Sequence, residues 1–376
     1  MTEGSIGRKL FLFAMPLVLG NLLQQLYNTA DSVIVGNFVG SNALAAVGSS
    51  TPIINLLIAF SQGAAVGAGV VISHYLGAED EKNTQQAVHT AIAIILILGA
   101  VLTAAGILLS RSLLTLMKTP DEVMADSVTY LQIYFGGVIF NALYNMAAGI
   151  LNAAGNSRRS LLYLACASVT NIVLDLILVK SLDMGVAGAA IATDASQLVS
   201  CVLAMGFLMR VNADYRVRPG SIRINGRMAG RIIKIGLPAG IQNMVVSFSN
   251  AVVQSSVNGF GADAMAGFGA FLKIDGFSVL PVLSLSLAMT TFAGQNLGAQ
   301  NYARLKKGGT TIPFWSGLIT LTFGLIITAF CRPILMLFTR DAAVLDLAVL
   351  YTRIVLPSTW TYAVFNGIIS FVNGMG

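Results

Sequence analysis

Charge is what this sequence has least of. Only 10% of its 376 residues are Asp, Glu, Lys or Arg, against about 25% in a soluble domain. The shortage excludes a soluble enzyme of two or three domains, and it excludes a disordered chain, which needs charge to stay solvated. The three cysteines, Cys166, Cys201 and Cys331, have neither metal spacing nor a paired framework. That rules out a disulfide scaffold and leaves them as small core residues. The two histidines, His74 and His89, fall near helix ends and read as interfacial rather than catalytic. There is no Walker loop, HExxH, Ser/His/Asp set or redox cysteine pair, so neither enzymatic turnover nor direct ATP drive has residues to perform it. No enzyme, no cofactor and no resident metal are expected. The alternation of an outer-membrane barrel is missing too.

What is present is apolar sequence in long runs. The chain is 56% hydrophobic with a mean hydropathy of +0.78. A helix of about 20 apolar residues crosses the hydrocarbon core of a bilayer. Runs of that kind occupy about 10–36, 48–75, 87–110, 127–151, 159–181, 187–209, 231–258, 266–294, 310–331 and 344–372. They predict an all-α polytopic membrane protein with ten spanning helices. Pro16 and Asp31 lie within the first run, which reads as a spanning helix rather than a cleaved leader. Short loops with turn chemistry join the helices, except at 210–234. That stretch holds seven basic residues against the single acid Asp214. The net charge of +6 therefore reflects loop chemistry rather than nucleic-acid binding. With the N-terminus inside, fifteen Lys and Arg fall in inner segments and five in outer ones, Lys118 and Arg340 among the five. By the positive-inside rule this places the N-terminus in the cytoplasm and the protein in the plasma (inner) membrane.

The chain also repeats itself. GSNALAAVG at 40–48 returns as GADAMAGFG at 261–269, an offset of 221. The same offset carries Leu76-Gly77-Ala78 onto Leu297-Gly298-Ala299, Tyr130 onto Tyr351, Asn145 onto Asn366 and Asn152 onto Asn373. Apolar helices alike by chance would not keep polar residues in step, so this is a duplication. A six-helix unit returns the chain to its starting side, so the two lobes run parallel. The expected organisation is an N-lobe at 1–212 with helices 1–6, a basic cytoplasmic interlobe loop at 213–229, and a C-lobe at 230–376 with helices 7–10. Gly376 matches Gly155, which two more helices follow in the first half. The repeat therefore predicts two further helices, about 60–70 residues, missing from this chain.

Ionisable residues inside the hydrocarbon are costly and mark function. In the N-lobe they are Asp31, Asp175 and Asp194. Counted from the helix ends at 1.5 Å per residue, all three lie roughly 8–11 Å below the outer surface. Thr193 shares that depth, and Asn171 lies one turn from Asp175 on the same face. Three helices thus bring polar groups to one level, as a site inside a bundle requires. Two carboxylates at one site in low dielectric cannot both ionise cheaply, so the pair can hold and release a proton. The same oxygens offer most of a cage for Na+. Asp194 has a second reading, as a residue facing the lobe interface or the Gln197 side of its own helix. Lys273 and Asp275 lie near the middle of helix 8 but two residues apart, so they point away from each other. They form a possible further site with Asp194. Gly63, Gly67 and Gly69 let helices approach closely. Tyr27, Tyr134, Phe140, Tyr144 and Met146 are candidates to line a cavity for an amphipathic cation, against ordinary bundle packing.

With these residues in view, the sequence resembles the multidrug and toxin extrusion (MATE) family. The matching pieces are PLVLGNLLQQLYNTADSVIVGNFVG, ALAAVG, NIVLDLILV, Ala192-Thr193, Ser196-Gln197 and AGQNLGAQN. The resemblance implies two six-helix lobes, alternating access between them, and export of small amphipathic organic cations against inward H+ or Na+. Its N-lobe cation site falls on Asp31, Asn171, Asp175 and Thr193. The sodium-type branch of the vibrio transporters has carboxylates in helices 7 and 10. Helix 7 here has none, and helix 10 has only Asp346 at its outer end. The chain is therefore closer to the proton-coupled prokaryotic branch, and H+ is favoured over Na+. Asp194 stands where the family more often has an apolar residue. A lipid-linked oligosaccharide or peptidoglycan-precursor flippase of the same superfamily is the rival. It would need several deep Arg or Lys, and only Lys273 is deep. A monomer in the bilayer, with no nucleic-acid partner, is expected.

Overall fold

The computed structural model describes residues 1–117, 119–336 and 341–376, without the side chains at 41, 42, 44, 57, 251, 258 and 262. Lys118 and Arg340, two of the expected outer charges, lie outside the described residues.

The described residues are mostly helical, as an unhydrated bilayer core demands, because a helix satisfies its own backbone groups. In order the helices are α1 (Ile6–Phe38), α2 (Ser41–Gly77), α3 (Glu81–Leu116), α4 (Asp121–Ala153), α5 (Ser157–Asp175), α6 (Gly185–Arg210), α7 (Gly226–Asn258), α8 (Ala262–Gly298), α9 (Tyr302–Ala329), α10 (Cys331–Leu335), α11 (Ala342–Val355) and α12 (Thr359–Met375). Among the described residues, ten segments are long and apolar enough to cross a membrane. The first nine are α1 to α9, with a π-helical extension of α5. The tenth expected helix is not one rod. It breaks into α11 and α12 at a 3-10 turn, Leu356–Ser358. Pro357 is the cause, since proline has no N–H to donate and its ring crowds the preceding turn.

The duplication is visible in the backbone. Gly40 and Gly261, 221 apart, precede α2 and α8 with φ 114 and 99 and ψ 179 and 178. That is a region only glycine enters freely. Further on, Glu79 and Gln300 both turn left-handed, with φ 55 and 54. The next residue caps the following helix in both halves. Asp80 accepts the Asn83 N–H at 3.0 Å, and Asn301 accepts the Arg304 N–H at 3.3 Å. An Asx residue at this position meets one of the helix's orphan donors, so chemistry and geometry repeat together.

The helices form two compact units. One comprises Met1–Val18 and Met244–Gly376, the other Leu19–Asn243. The lobes expected from the repeat divide in the interlobe loop, whereas the compact units divide within α1 and α7. In the first unit Leu10, Phe13 and Ala14 of α1 pack on Ala288, Met289 and Phe292 of α8 and Ile312 of α9. In the second unit α4 packs on α2, α3 and α6. Met228 and Ile232 of α7 join its core. Two glycine pairs allow this. A Cβ on Gly67 would sit 2.3 Å from the Ile232 carbonyl oxygen, and one on Gly63 would sit 2.6 Å from the Gly236 carbonyl oxygen. Gly63–Gly67 and Gly236–Gly240 are thus facing small-xxx-small motifs. Gly69 differs, with only an ordinary contact to Gly149 at 3.7 Å.

The basic loop between α6 and α7 is docked on α3. His89 Nε2 accepts the Arg218 backbone N–H at 2.9 Å, and its Nδ1 lies 2.7 Å from the Gln85 carbonyl oxygen. The ring is therefore neutral, with its proton on Nδ1. Thr90 Oγ1 accepts the Asn225 N–H at 3.1 Å, and Val217 is 1% exposed.

Candidate functional site

Three helices of the Leu19–Asn243 unit carry the expected residues. Asp31 lies on α1 and is half-buried; Asn171 and Asp175 lie on α5 and are 1% and 0% exposed. Asp175 is the last residue of regular α-helix before a π-helical turn, Leu176–Ser181. Such turns widen the helix and often sit at functional positions.

The Asp31 and Asp175 carboxyl groups face each other within hydrogen-bonding reach. Two carboxylate anions have only acceptors to offer, so they bond to each other only when one carries a proton. Among the described residues no donor replaces that proton. Asp31 Oδ1, both Asp175 oxygens and both amide atoms of Asn171 are enclosed without a hydrogen-bond partner. Buried polar atoms are nearly always paired, so five such atoms on three neighbouring side chains mark a candidate site. Their chemistry is that of a proton or small-cation receptor.

Thr193 is placed differently. Its hydroxyl donates to Ala189 O of its own helix at 3.0 Å, so its proton is committed while its oxygen lone pairs stay available. Asp194 is pressed against α4. A Cβ on Gly137 would fall 2.2–2.6 Å from the Asp194 carboxyl atoms. The reading in which Asp194 serves only its own helix does not fit this contact.

The structure sets Tyr130 beside Tyr134, one of the expected cavity-lining residues. Tyr130 and Tyr134 of α4 are 5% and 8% exposed, with ring centroids 6.2 Å apart. Tyr130 lies within electrostatic range of Asp31, Asp175 and Asp194 alike. Tyr130, Tyr134 and Gly137 follow the i, i+4, i+7 rule for one helix face; that spacing was the available signal. Tyr27, one turn before Asp31 on α1, is 8% exposed.

Lys273 and Asp275 belong to the other compact unit. Lys273 is exposed, and Asp275 is half-buried near Tyr362, which hydrogen-bonds Asn366. They do not pair with each other. The salt bridge among the described residues is Arg332–Asp346, at 3.3 Å.

The profile of the MatE family matches residues 16–177 and 238–376. A probable multidrug resistance protein of Bacillus subtilis, YpnP, is 33% identical over 306 residues, 81% of this chain and 68% of that protein. A second from the same organism, YoeA, is 30% identical over 97% of this chain and 80% of its own length. Among solved structures, a MATE protein in complex with MaD3S superposes with a TM-score of 0.88 at 25% identity, over 99% of this chain and 85% of that one. With both halves of the repeat matched, and relatives at this identity aligned along nearly the whole sequence, the chain belongs to the MatE family, a family of multi-pass membrane transporters.

Proposed function

We propose that the protein exports amphipathic organic cations from the cytoplasm across the plasma membrane in exchange for H+, and that the Asp31–Asp175 pair is the coupling site. The observation that carries this reading is the facing of the buried Asp175 carboxyl and the half-buried Asp31 carboxyl with no donor between them. Such a pair binds one proton tightly, because two like charges this close in a low-dielectric site cannot both ionise cheaply. Loading the proton closes the Asp31–Asp175 hydrogen bond and joins α1 to α5. Releasing it leaves two charges that repel and that attract a cation. A proton and a cationic drug therefore favour opposite arrangements of the same residues, which is the thermodynamic requirement for exchange. Tyr130 and Tyr134 offer ring faces beside the negative centre, where a cation gains further from the aromatic quadrupole. The names of the relatives, probable multidrug resistance proteins, support the substrate class.

Sodium is the second reading, favoured by one observation. Both Asn171 amide atoms lack partners, and an amide oxygen beside two carboxylates is a ligand for a hard cation. The absence of carboxylates from helix 7 weighs for H+.

The test is drug resistance conferred by Asp31→Asn and Asp175→Asn variants at matched membrane abundance. Each amide keeps the size of the side chain but removes the titrating group. Loss of resistance in both supports the assignment. Full resistance in either removes it from the coupling site.

A further inference from the structure

A cavity of about 930 Å³ opens between residues 2–11, Leu285 of α8 and the first turns of α9. All of it lies within the Met1–Val18 and Met244–Gly376 unit, away from the carboxylate site. Its walls are apolar on one side. Phe11, Trp315 and Ile319 line it and are 59%, 54% and 46% exposed. In a membrane protein such side chains face lipid.

The other end carries two cations against one carboxylate, Glu3. Arg304 and Lys307, one turn apart on α9, both line the cavity. The Arg304 guanidinium is held in place. Its Nε and Nη2 donate to Met1 O at 3.2 and 3.1 Å, Nη2 to Glu3 O at 3.1 Å and Nη1 to Gly4 O at 2.6 Å. It also lies 5.7 Å from the Phe292 ring centroid. Every one of these acceptors is a neutral carbonyl, so the hydrogen bonds are satisfied while the charge is not. Lys307 is exposed and makes no salt bridge among the described residues.

An occupant must match both ends. An organic cation is repelled by Arg304 and Lys307, and a small free anion leaves the aromatic wall unmatched. We propose that this hollow binds an anionic phospholipid, its phosphate against Lys307 and Arg304 and one acyl chain along Phe11, Trp315 and Ile319. Basic pockets between membrane helices recognise headgroups by this chemistry. Bound there, the lipid tethers the N-terminal strap to α9.

The experiment is native mass spectrometry of the purified protein with phosphatidylglycerol or phosphatidylethanolamine. Preferential retention of phosphatidylglycerol is expected. Lys307→Gln, at an exposed position that leaves folding intact, is expected to weaken that retention roughly fivefold, the effect of one interfacial cation. Trp315→Ala is expected to weaken it as well, because the chain loses its wall. Lys82→Gln, in the first turn of α3 and outside the cavity, is expected to change nothing. Equal retention of the two lipids overturns the proposal. So does an unchanged Lys307→Gln or Trp315→Ala variant, or a Lys82→Gln variant weakened as much as Lys307→Gln.

Discussion

Gly137 is the most informative position to perturb, because one methyl group there tests the placement of a carboxylate on a different helix. Gly137→Ala puts a Cβ 2.2 Å from Asp194 Cγ, 2.3 Å from Oδ1 and 2.6 Å from Oδ2. Ordinary contact begins near 3.4 Å, so α4 and the carboxyl must separate by about 1 Å or Asp194 must leave its rotamer. Asp194 is short, so little of the movement can be absorbed within its side chain. Overpacking of this kind costs about 1–3 kcal/mol. The assay is thermal unfolding of purified Gly137→Ala, Asp194→Ala and the double variant beside the parent, read as a cycle. The alanine at 137 is expected to destabilise the parent by that amount and to cost much less once Asp194 is alanine. A Gly137→Ala penalty within about 0.5 kcal/mol of zero, the range of an ordinary surface change, would refute the contact. So would a penalty of equal size in both backgrounds.

The glycines of α2 offer a sharper contrast. Gly67→Ala meets backbone on α7, Ile232 O at 2.3 Å and Gly236 N at 2.7 Å, which cannot rotate away. A loss of at least about 1–3 kcal/mol is expected, seen as low abundance and early melting, while Gly69→Ala stays close to the parent. His89→Ala strands the Arg218 N–H and is expected to cost about 1–3 kcal/mol. Limited proteolysis reads it directly, since the loop at 213–225 becomes a cleavage site. Asp194→Asn keeps the shape against Gly137 and is expected to reduce resistance less than Asp31→Asn; an equal or greater loss would move Asp194 into the coupling pair.

The parts of the fold that follow period or chemistry were legible in the sequence. Apolar runs marked ten spans, and the 221-residue offset that joins Leu76-Gly77-Ala78 to Leu297-Gly298-Ala299 continues into the matched caps at Asp80 and Asn301. Depth counting brought Asp31 and Asp175 to one level, because helix rise is fixed. The division of α1 at Val18 and of α7 at Met244 was not legible. A helix apolar all round shows no preferred face, so its sequence does not say which neighbours each half will meet. The π-helical turn after Asp175 left no mark either, since Leu-Ile-Leu-Val suits an α-helix equally well. The docking of the interlobe loop depends on His89, one ring nitrogen against Gln85 and the other against a residue 129 positions away. Such a long-range pairing has no local signal. The break at Leu356–Ser358 did have one, in Pro357.

The central claim is that the enclosed Asp31–Asp175 pair exchanges a proton for drug. It is tested most directly by dye efflux from everted membrane vesicles at fixed membrane potential, with pH and Na+ gradients imposed separately. The account predicts transport driven by the pH gradient in the absence of Na+, and none in the Asp31→Asn variant. Strict dependence on a Na+ gradient, with no response to pH, would contradict it.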